Sequence, residues 1–295
     1  MHQTGQIYRP PSEASVQRLE VTIGCSHNKC SFCTMYRKTP FRVAPLEDVE
    51  MDLKELHDRG EKITRIYLTN GDPFVLGTDR LVKIAELVHQ YLPEVEVLTC
   101  YASIQNLKAK SLEDLKLLKS VGYDELYVGL ETAYAPAVKL INKGFTVEEA
   151  YENIGKLKEA GMKYSALLML GIGGKGHSKE SVEATAAFLN KYPPYRVSPL
   201  STAVLRGSEL EELCDKGEYA QLTERELVEE EKMLLRALEI KDCIFFGSHP
   251  YNLITISGVL PQDREKIIEH LDSEMAAWDR DQPGFLDTVW KRTDM

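Results

Sequence analysis

The chain has 295 residues, of which 43% are hydrophobic and 28% are charged, a composition typical of a globular protein. Its formal net charge of −10 argues against a general nucleic-acid binder, because affinity for phosphate backbones depends on Lys and Arg. No apolar run approaches the ~20 residues of a membrane span, and residues 1–17 lack the apolar core of a signal peptide. We therefore expect a cytoplasmic protein with no membrane partner.

Short apolar runs alternate with amphipathic helical stretches through the first two thirds of the chain. A polar lead-in over residues 1–15 precedes them, and helical stretches such as residues 46–57 and 78–91 carry apolar side chains on one face. Strands are predicted at residues 16–23, 63–69, 95–101, 125–129, 164–170 and 196–205. This alternation favours parallel strands joined by right-handed crossovers. The sequence therefore predicts an α/β fold over residues 16–205, either a partial (β/α)6 TIM-like barrel or an open sheet, and we expect the partial barrel.

Capping signals place the ends of several helices. Ser111-x-x-Asp114 and Thr146-x-x-Glu149 resemble capping boxes. Glycines follow three of the helical stretches, as C-caps often do: Gly60, Gly122 and Gly161. The four lysines within residues 108–119 are expected on a solvated helix face rather than in a nucleic-acid site.

Residues 206–295 have a different pattern, and we expect a C-terminal, helix-rich extension that caps the barrel. Thr223-x-x-Glu226 begins an acidic helix that runs to about residue 239. A strand is expected at residues 243–247 and a helix at residues 261–278. The acidic run at residues 229–231 is expected on a solvated helix face.

Residues 24–36, GCSHNKCSFCTMY, contain three of the six cysteines in a C-x4-C-x2-C arrangement. In a reducing compartment, clustered cysteines favour metal or redox chemistry over disulfides. A [4Fe–4S] cluster normally takes one cysteine for each iron. Three ligands leave one iron open for a small molecule, by the logic that gives a catalytic zinc its open position.

The alternative is a structural zinc site with His27 as the fourth ligand. His27 lies between Cys25 and Cys30, so the local geometry is cramped, and the chain has no second C-x-x-C pair. The other cysteines are dispersed and are expected to be buried or incidental thiols: Cys100, Cys214 and Cys243.

The cysteine stretch resembles the cluster-binding loop of the radical S-adenosylmethionine (SAM) enzymes, in which three cysteines after the first barrel strand hold a [4Fe–4S] cluster. The resemblance implies that Cys25, Cys30 and Cys33 are the iron ligands, and Phe32 matches the aromatic residue that usually precedes the last cysteine. The pattern is most similar to the group of oxygen-independent coproporphyrinogen oxidase-like proteins. The family's common spacing is C-x3-C-x2-C, and we expect the longer gap here to bulge the loop while Cys25 remains a ligand.

The segment TNGDPF at residues 69–74 resembles the family's GGEP-type motif, which binds the amino group of SAM. The resemblance implies that Asn70, Gly71, Asp72 and Pro73 take part in this binding. A glycine allows the backbone to approach a ligand, and a carboxylate suits an ammonium group. A strand-to-helix turn without a ligand is the alternative, because Asn-Gly-Asp-Pro is also ordinary turn chemistry.

The segments GLETA at residues 129–133 and INKGFT at residues 141–146 resemble the GLES…KG-T pattern of several radical SAM groups. The resemblance implies that Glu131 contacts the ribose or amino group of SAM, and that Lys143 contacts its carboxylate. The alternatives are an acid that interacts with a helix N-terminus for Glu131 and a surface lysine for Lys143.

The glycine-rich turn MLGIGG at residues 169–174 follows the fifth predicted strand. Its spacing fits neither a P-loop nor a dinucleotide fingerprint. The resemblance implies instead that Gly171 and Ile172 face the adenine of SAM, and a plain tight turn is the alternative. The matching motifs extend over about residues 16–210 in the expected order.

The resemblance implies a radical SAM enzyme: a reduced [4Fe–4S] cluster cleaves SAM to methionine and a 5′-deoxyadenosyl radical, which abstracts hydrogen from a substrate. The implied partners are a small-molecule substrate and an electron donor such as flavodoxin or ferredoxin. In the extension, His249 and Tyr251 are the candidate substrate-side residues, since an imidazole can donate a proton near neutral pH. A structural loop is the alternative for this pair.

Two other activities stay open. A cluster-bearing haem or tetrapyrrole carrier, resembling the haem chaperones related to oxygen-independent coproporphyrinogen oxidase, would keep the cysteine loop without substrate chemistry. An RNA- or protein-modifying radical enzyme is the second, although the acidic charge argues against RNA.

Overall fold

The structure is a computed structural model in which residues 1–292 are described. Its strands are β1 (Gln17–Glu20), β2 (Thr22–Ile23), β3 (Arg42–Val43), β4 (Arg65–Thr69), β5 (Val97–Ala102), β6 (Leu126–Glu131), β7 (Tyr164–Leu170), β8 (Arg196–Ser201), β9 (Cys243–Phe246) and β10 (Ser257–Leu260). Its α-helices are α1 (Leu46–Arg59), α2 (Thr78–Tyr91), α3 (Ile104–Lys108), α4 (Leu112–Ser120), α5 (Ala135–Leu140), α6 (Val147–Glu159), α7 (Ser178–Lys191), α8 (Glu209–Asp215), α9 (Glu224–Ala237) and α10 (Arg264–Asp281). Short 3-10 helices cover Pro11–Glu13, Pro73–Val75 and Phe285–Asp287. Across residues 1–292, none of these helices has the length and apolar character that a membrane span needs.

The main sheet is mostly parallel and contains eight strands in the order β1-β4-β5-β6-β7-β8-β9-β10. The pairs β1–β4, β4–β5, β5–β6, β7–β8 and β8–β9 are parallel, and β9–β10 is antiparallel. A separate antiparallel ladder joins β2 to β3. Parallel neighbours need a crossover connection, which the intervening helices supply. The predicted α/β alternation is confirmed.

The chain folds into two compact units. The first comprises Met1–Asn28, Met35–Gly129 and Glu152–Tyr164, and the second comprises Lys29–Thr34, Leu130–Tyr151 and the residues from Ser165 onward. The expected division into a lead-in, a barrel over residues 16–205 and an extension over residues 206–295 stays a prediction. The last three residues of that extension lie outside the described residues.

In the first unit, the paired strands have one apolar and one polar face. Side chains alternate along a strand, and partners in neighbouring parallel strands share a face. Leu19 is fully buried, and its partner across β1–β4 is also a leucine. On the opposite face, Arg18 pairs with Tyr67 and Glu20 pairs with Thr69. The polar face therefore carries charged and hydroxyl groups at the carboxyl ends of β1 and β4.

The N-terminal lead-in is anchored at the amino ends of these strands. The Glu13 carboxylate accepts a hydrogen bond from Arg65 at 2.7 Å and another from the Tyr127 hydroxyl at 2.5 Å. Arg65 also contacts Glu125 at 2.6 Å. Because Glu13 is only 2% exposed, these partners are needed to offset the cost of burying its charge. The lead-in is therefore part of the packed structure of the first unit.

In the second unit, α9 packs against α7 and α10. The guanidinium of Arg292 forms an ion pair with the Glu224 carboxylate at 2.6 Å, and both side chains are almost completely buried. Arg292 also donates from Nε to the Tyr251 carbonyl at 2.6 Å. The end of the described chain is thus attached both to the start of α9 and to the loop that follows β9.

The predicted helix ends agree with the structure. The three capping boxes at residues 111–114, 146–149 and 223–226 form their reciprocal hydrogen bonds, and Gly60 ends α1 with a φ of 68°. The strand boundaries are less accurate: the strand predicted to end at residue 205 ends at Ser201. The short strands β3 and β10 were not predicted.

Two expectations about charged side chains are wrong. Lys110 is 4% exposed rather than solvated, and Glu230 and Glu231 are each 3% exposed. The turns and loops that cover these residues come from distant parts of the chain, and a local run of charged residues gives no sign of them.

Candidate functional site

The cysteine loop begins directly after β2, in the first unit. Gly24 has a φ of +75°, and a Cβ there would lie 2.9 Å from the Thr39 carbonyl oxygen, so this position requires glycine. Cys25 follows and is half-buried. Asn28, in the four-residue gap, has a φ of 44° and donates from Nδ2 to the Tyr36 carbonyl at 2.8 Å. The left-handed backbone conformation of Asn28 therefore accommodates the longer gap. Ligation of the cluster by Cys25 stays a prediction.

The turn after β4 is bonded to the start of this loop. The Gly71 N–H donates to the Gly24 carbonyl at 3.2 Å. The Ser26 hydroxyl donates to the Asp72 carboxylate. These two bonds lie on either side of Cys25 in the sequence. Within the first unit, the segment predicted to bind the amino group of SAM is thus joined to the first predicted iron ligand.

Asn70 and Gly71 have the features of a ligand-binding turn. Asn70 is fully buried and donates from its backbone N–H to Thr22 Oγ1 at 3.1 Å. Its side-chain amide, however, has no hydrogen-bond partner for either atom among residues 1–292. A buried amide left unpaired costs about 1–3 kcal/mol, and a bound polar ligand would remove that cost. Next to it, a Cβ on Gly71 would lie 2.4 Å from the Tyr36 ring, so the backbone there is closely packed.

The Asp72 carboxylate lies at the same turn and is 5% exposed. Burial raises the pKa of Asp72, and hydrogen bonds from Ser26 and Asn106 act in the opposite direction. A cationic group placed beside it would favour the charged carboxylate. Pro73 is buried and begins the 3-10 helix that follows, so the predicted SAM contacts Asn70, Gly71, Asp72 and Pro73 form one continuous turn.

Lys110 supports this turn from outside, a role that the sequence did not suggest. Its ammonium donates to the Phe74 carbonyl at 2.7 Å and to the Leu76 carbonyl at 3.0 Å, and it lies 4.6 Å from the centre of the Phe74 ring. Burial lowers the pKa of Lys110 to about 8. Lys156 in turn donates to the Lys110 carbonyl at 2.6 Å. Lys110 is therefore a positioning residue for the turn.

Replacing Lys110 with methionine is expected to weaken SAM binding about tenfold, because two buried carbonyl groups lose their donor and the turn relaxes. Isothermal titration of the cluster-loaded protein with SAM would measure this change. Lys116→Met, at an exposed position of the adjoining helix α4, is the matched control and should bind SAM as the parent does. Equal affinities for the two variants would show that Lys110 does not position the turn.

The remaining part of the cysteine loop, residues 29–34, belongs to the second unit. Cys30 and Cys33 are half-buried there. Ser31 between them is fully buried, and it donates from its N–H to the Ile141 carbonyl and from its hydroxyl to the carbonyl one residue earlier, both at 3.0 Å. Asn142 donates from Nδ2 to the backbone carbonyl of residue 29 at 3.1 Å. Residues 140–142, at the start of the INKGFT motif, therefore fix the backbone that carries Cys30 and Cys33.

Glu131 and Lys143 form a buried ion pair in this unit. Their side chains are 8% and 14% exposed, and Glu131 adopts a φ of 62° at the end of β6. Burial opposes the charge of Lys143, but the neighbouring Glu131, Cys30 and Cys33 raise the pKa of Lys143. The Lys143 ammonium also lies 5.9 Å from the centre of the Phe32 ring. The structure thus brings together five residues that the sequence singled out, and the Lys143 cation among them suits both thiolate sulfurs and a carboxylate ligand.

The arrangement of metal-ligating side chains distinguishes a site for a single metal ion from a site for an iron–sulfur cluster. No three His, Cys, Asp or Glu side chains within residues 1–292 lie close enough to surround a single metal ion. A [4Fe–4S] cluster does not require such a group, because each cysteine ligates a different iron. In the second unit, the thiols of Cys30 and Cys33 and the neighbouring Lys143 cation fit an anionic cluster.

The turn after β7 is held by two side chains that the sequence did not single out. Gly171 has a φ of +79°, its N–H donates to Glu230 Oε1 at 2.7 Å, and its carbonyl accepts from the Tyr219 hydroxyl at 2.7 Å. Glu230 also accepts from the Ser178 hydroxyl at 2.5 Å. Ile172 is fully buried in an apolar cluster with Tyr219. A contact of Gly171 and Ile172 with adenine stays a prediction.

His249 and Tyr251 lie in the loop after β9. His249 Nδ1 accepts a hydrogen bond from the Tyr251 N–H at 3.1 Å, which leaves the proton on Nε2. Burial lowers the pKa of His249 to about 4, so the imidazole is neutral at pH 7 and can donate a hydrogen bond but not act as a charged acid. Asn252 ties this loop to β8, donating to the Pro199 carbonyl at 3.0 Å and accepting from the Ser201 N–H at 2.7 Å.

Glu231 is buried against the same loop. A Cβ on Gly247 would lie 2.8 Å from Glu231 Oε1, and this oxygen has no hydrogen-bond partner among the described residues. Burial raises the pKa of Glu231 to about 8, so the folded protein carries a neutral carboxylic acid at pH 7. The unfolded chain carries a carboxylate there.

Stability is expected to fall as pH rises between about 4.5 and about 8 because of Glu231. In that window the folded state holds one more proton than the unfolded state, so raising the pH favours unfolding. Urea denaturation should show Glu231→Gln gaining stability over the parent by on the order of 3 kcal/mol between the two ends of this window. Glu229→Gln, at a neighbouring half-exposed side chain, should show no such trend, and a parallel pH profile for parent and Glu231→Gln would contradict the prediction.

Comparison with known proteins identifies the family. The model of the Radical SAM superfamily matches residues 19–189, more than half of the chain, and the chain therefore belongs to that superfamily. It is accordingly a radical SAM enzyme, with a [4Fe–4S] cluster and SAM as its cofactors.

Individual relatives are distant. An uncharacterised protein of Methanocaldococcus jannaschii is 24% identical over 220 residues, 71% of this chain and 67% of that protein. A tRNA uridine(34) acetyltransferase of Methanocaldococcus infernus is 22% identical over 253 residues, 70% of this chain and 46% of that protein. A haem chaperone of Lactococcus lactis is 26% identical over 141 residues, 47% of this chain and 36% of that protein. The chain spans less than half the length of the last two.

Two solved structures illustrate the shared fold. Methylornithine synthase has a TM-score of 0.54 at 15% identity, with 88% of this chain and 82% of that chain covered. The radical SAM methyltransferase from Kitasatospora setae, with cobalamin and a [4Fe–4S] cluster bound, has a TM-score of 0.51 at 19% identity, with 63% and 36% covered. These likenesses confirm the predicted partial-barrel fold class.

Proposed function

We propose that this chain binds a [4Fe–4S] cluster through Cys25, Cys30 and Cys33, and that it cleaves SAM reductively to start a radical reaction on a small-molecule substrate. When bound, the cluster and SAM supply one electron and a 5′-deoxyadenosyl radical that abstracts hydrogen. The protein's own residues bind and orient these groups and exclude water from them.

The observation that carries the proposal is the bonded contact between the turn after β4 and the start of the cysteine loop. The Gly71 N–H donates to the Gly24 carbonyl at 3.2 Å, and Ser26 donates to Asp72. A ligand held by this turn is thereby kept beside Cys25. The unpaired amide of Asn70, fully buried at the same place, supplies hydrogen-bonding groups for such a ligand.

Each predicted contact has a chemical role in this proposal. Asn70 and Asp72 receive the amino group of SAM, because an amide oxygen and a carboxylate both accept hydrogen bonds from an ammonium. Lys143 receives the carboxylate. In the ligand-free protein Lys143 is paired with Glu131, so binding of the SAM carboxylate would release Glu131 to accept from the ribose hydroxyls.

An acidic electron donor, such as flavodoxin or ferredoxin, has a suitable docking region near the loop. Residues 21–46 contain no Asp or Glu although the whole chain has a net charge of −10. Three exposed basic side chains lie in the part of that stretch that belongs to the first unit: Arg37, Lys38 and Arg42. Opposite charges across an interface steer association and raise its rate.

Two relatives support second candidates. The tRNA acetyltransferase relative favours a tRNA substrate, and the haem chaperone relative favours a carrier that keeps the cluster without substrate chemistry. We favour a small-molecule substrate because a chain with a net charge of −10 is expected to bind a phosphate backbone weakly.

Anaerobic reconstitution tests the proposal. Cluster-loaded protein reduced with dithionite should convert SAM to 5′-deoxyadenosine and methionine, as measured by chromatography. A fully loaded cluster without SAM cleavage would support the carrier. Formation of 5′-deoxyadenosine that rises only when tRNA is added would support the tRNA substrate. Stoichiometric zinc in place of iron would contradict all three.

A further inference from the structure

The polar face of the first unit contains a cavity that none of the predicted SAM contacts uses. It has a volume of about 390 Å³ and is lined by β1 and β4 on one side and by the N-terminal segment on the other. The β1 lining includes Arg18 and Glu20, the β4 lining includes Thr69, and the N-terminal lining includes Ile7 and Arg9. We refer to it as the arginine cavity. Its volume is at the lower end of the ~300–1,000 Å³ range of small-molecule sites.

The N-terminal wall of the arginine cavity is held in place by hydrogen bonds. The His2 N–H donates to Asp52 at 2.7 Å, and the Thr4 N–H donates to Glu20 at 2.8 Å. Arg9 donates from Nη1 to the Val16 carbonyl at 3.3 Å. These bonds attach the segment to α1 and to both ends of β1, so the cavity is a built feature of the first unit.

Two guanidinium groups, those of Arg9 and Arg18, line this cavity. Burial lowers the pKa of Arg9, the charge of Arg18 lowers it further, and the charge of Glu13 raises it. Within residues 1–292, neither Arg9 nor Arg18 forms an ion pair. The nearby Glu13 carboxylate is paired with Arg65. Glu20, the acidic residue in the lining, already accepts from the Thr4 N–H. An anion between the two guanidiniums would remove their repulsion and form charge-assisted hydrogen bonds.

The cavity adjoins the turn that is proposed to bind SAM. Thr69 belongs to its lining and directly precedes Asn70. Thr69 also ends β4, and reactions in barrels of this kind occur at the carboxyl ends of the strands. A molecule bound between the arginines and Thr69 would therefore lie next to the residues that hold SAM.

We propose that the arginine cavity binds the anionic group of the substrate, a carboxylate or a phosphate, through Arg9 and Arg18. Its role as a substrate site rests on the proposed function, whereas its affinity for an anion does not. The planar guanidinium matches both oxyanions in a bidentate geometry. The cavity's size suits a small organic anion rather than a folded macromolecule.

Isothermal titration of the full chain with two probes, inorganic phosphate and succinate, at constant ionic strength tests the proposal. At least one probe should bind saturably with a dissociation constant of about 1 mM or tighter. Arg18→Gln and Arg9→Gln should each weaken that binding about tenfold or more, the loss expected for a charge-assisted hydrogen bond. Arg206→Gln, at an exposed arginine of the second unit, is the matched control and should bind like the parent. The tighter probe indicates which oxyanion the substrate carries.

The absence of saturable binding of either probe to the parent would overturn the proposal, and this result does not depend on whether the variants fold. Unchanged affinity in both folded variants, judged by circular dichroism, would also overturn it. The same protein batch is assayed for 5′-deoxyadenosine. SAM cleavage without anion binding would refute the cavity alone, and anion binding without SAM cleavage would refute the proposed function alone.

Discussion

Replacing Cys30 with alanine is expected to abolish formation of 5′-deoxyadenosine. Cys30 is one of three proposed ligands to a cluster that takes one cysteine for each iron, so its loss leaves two irons without a protein ligand. The segment around it is fixed, because Ser31 is bonded to the backbone of residues 140–141, and the neighbouring Cys25 and Cys33 are themselves proposed ligands. Iron content should fall sharply after anaerobic reconstitution, and product should fall to the level of the protein-free control.

Cys214→Ala is the matched control for Cys30→Ala. Cys214 is a half-buried cysteine outside the loop, so its replacement tests for a general effect of losing a thiol. The control should keep both iron and SAM cleavage. A Cys30→Ala variant that retains a full complement of iron and cleaves SAM at the parent rate would contradict the assignment of the ligands.

Replacing Lys143 with methionine should have the largest effect on stability among the predicted SAM contacts. The Glu131 carboxylate is only 8% exposed and would lose its counter-ion, and breaking a buried pair from one side costs about 3–5 kcal/mol. The free energy of unfolding in urea would measure this loss. SAM affinity should fall in the same variant, because the proposed partner of the SAM carboxylate is gone.

The double variant Glu131→Gln/Lys143→Met separates stability from binding. Removing both charges leaves no buried carboxylate without a partner, so most of the lost stability should return, while SAM affinity should stay low. Lys179→Met, which breaks an exposed pair with Glu183, should cost less than about 1 kcal/mol. A double variant that binds SAM as tightly as the parent would show that the pair is structural only.

The sequence was informative where function depends on local backbone chemistry. The cysteine spacing, the Asn70–Gly71 turn and the capping boxes are each specified by a few adjacent residues, and the structure has the expected turns and caps there. The pairing of Glu131 with Lys143 has no signal in the sequence, because the two residues belong to separate motifs and each matches a different group of SAM. Only the folded chain brings the two side chains together.

The sequence was least informative where a charged residue is buried by a distant segment. Lys110, Glu230 and Glu231 lie in charged runs typical of solvated helices, but a turn or loop from another part of the chain covers each of them. The lead-in over residues 1–15 has no periodic pattern, so nothing local indicated that Glu13 would bond to Arg65 and Tyr127. Tertiary contacts override local charge patterns in all of these cases.

The close approach of Gly71 to Tyr36 links two parts of the sequence that are 35 positions apart. A methyl group at position 71 would require the ring of Tyr36 to move or to be replaced by a smaller side chain. Tyr36 lies in the part of the loop that follows Cys33. A smaller residue at position 36 would relieve the contact with the ring, but the Gly24 carbonyl oxygen, 3.0 Å from the same Cβ, would still have to move by a few tenths of an ångström. Any redesign of the SAM turn in this protein has to treat positions 36 and 71 as a single choice.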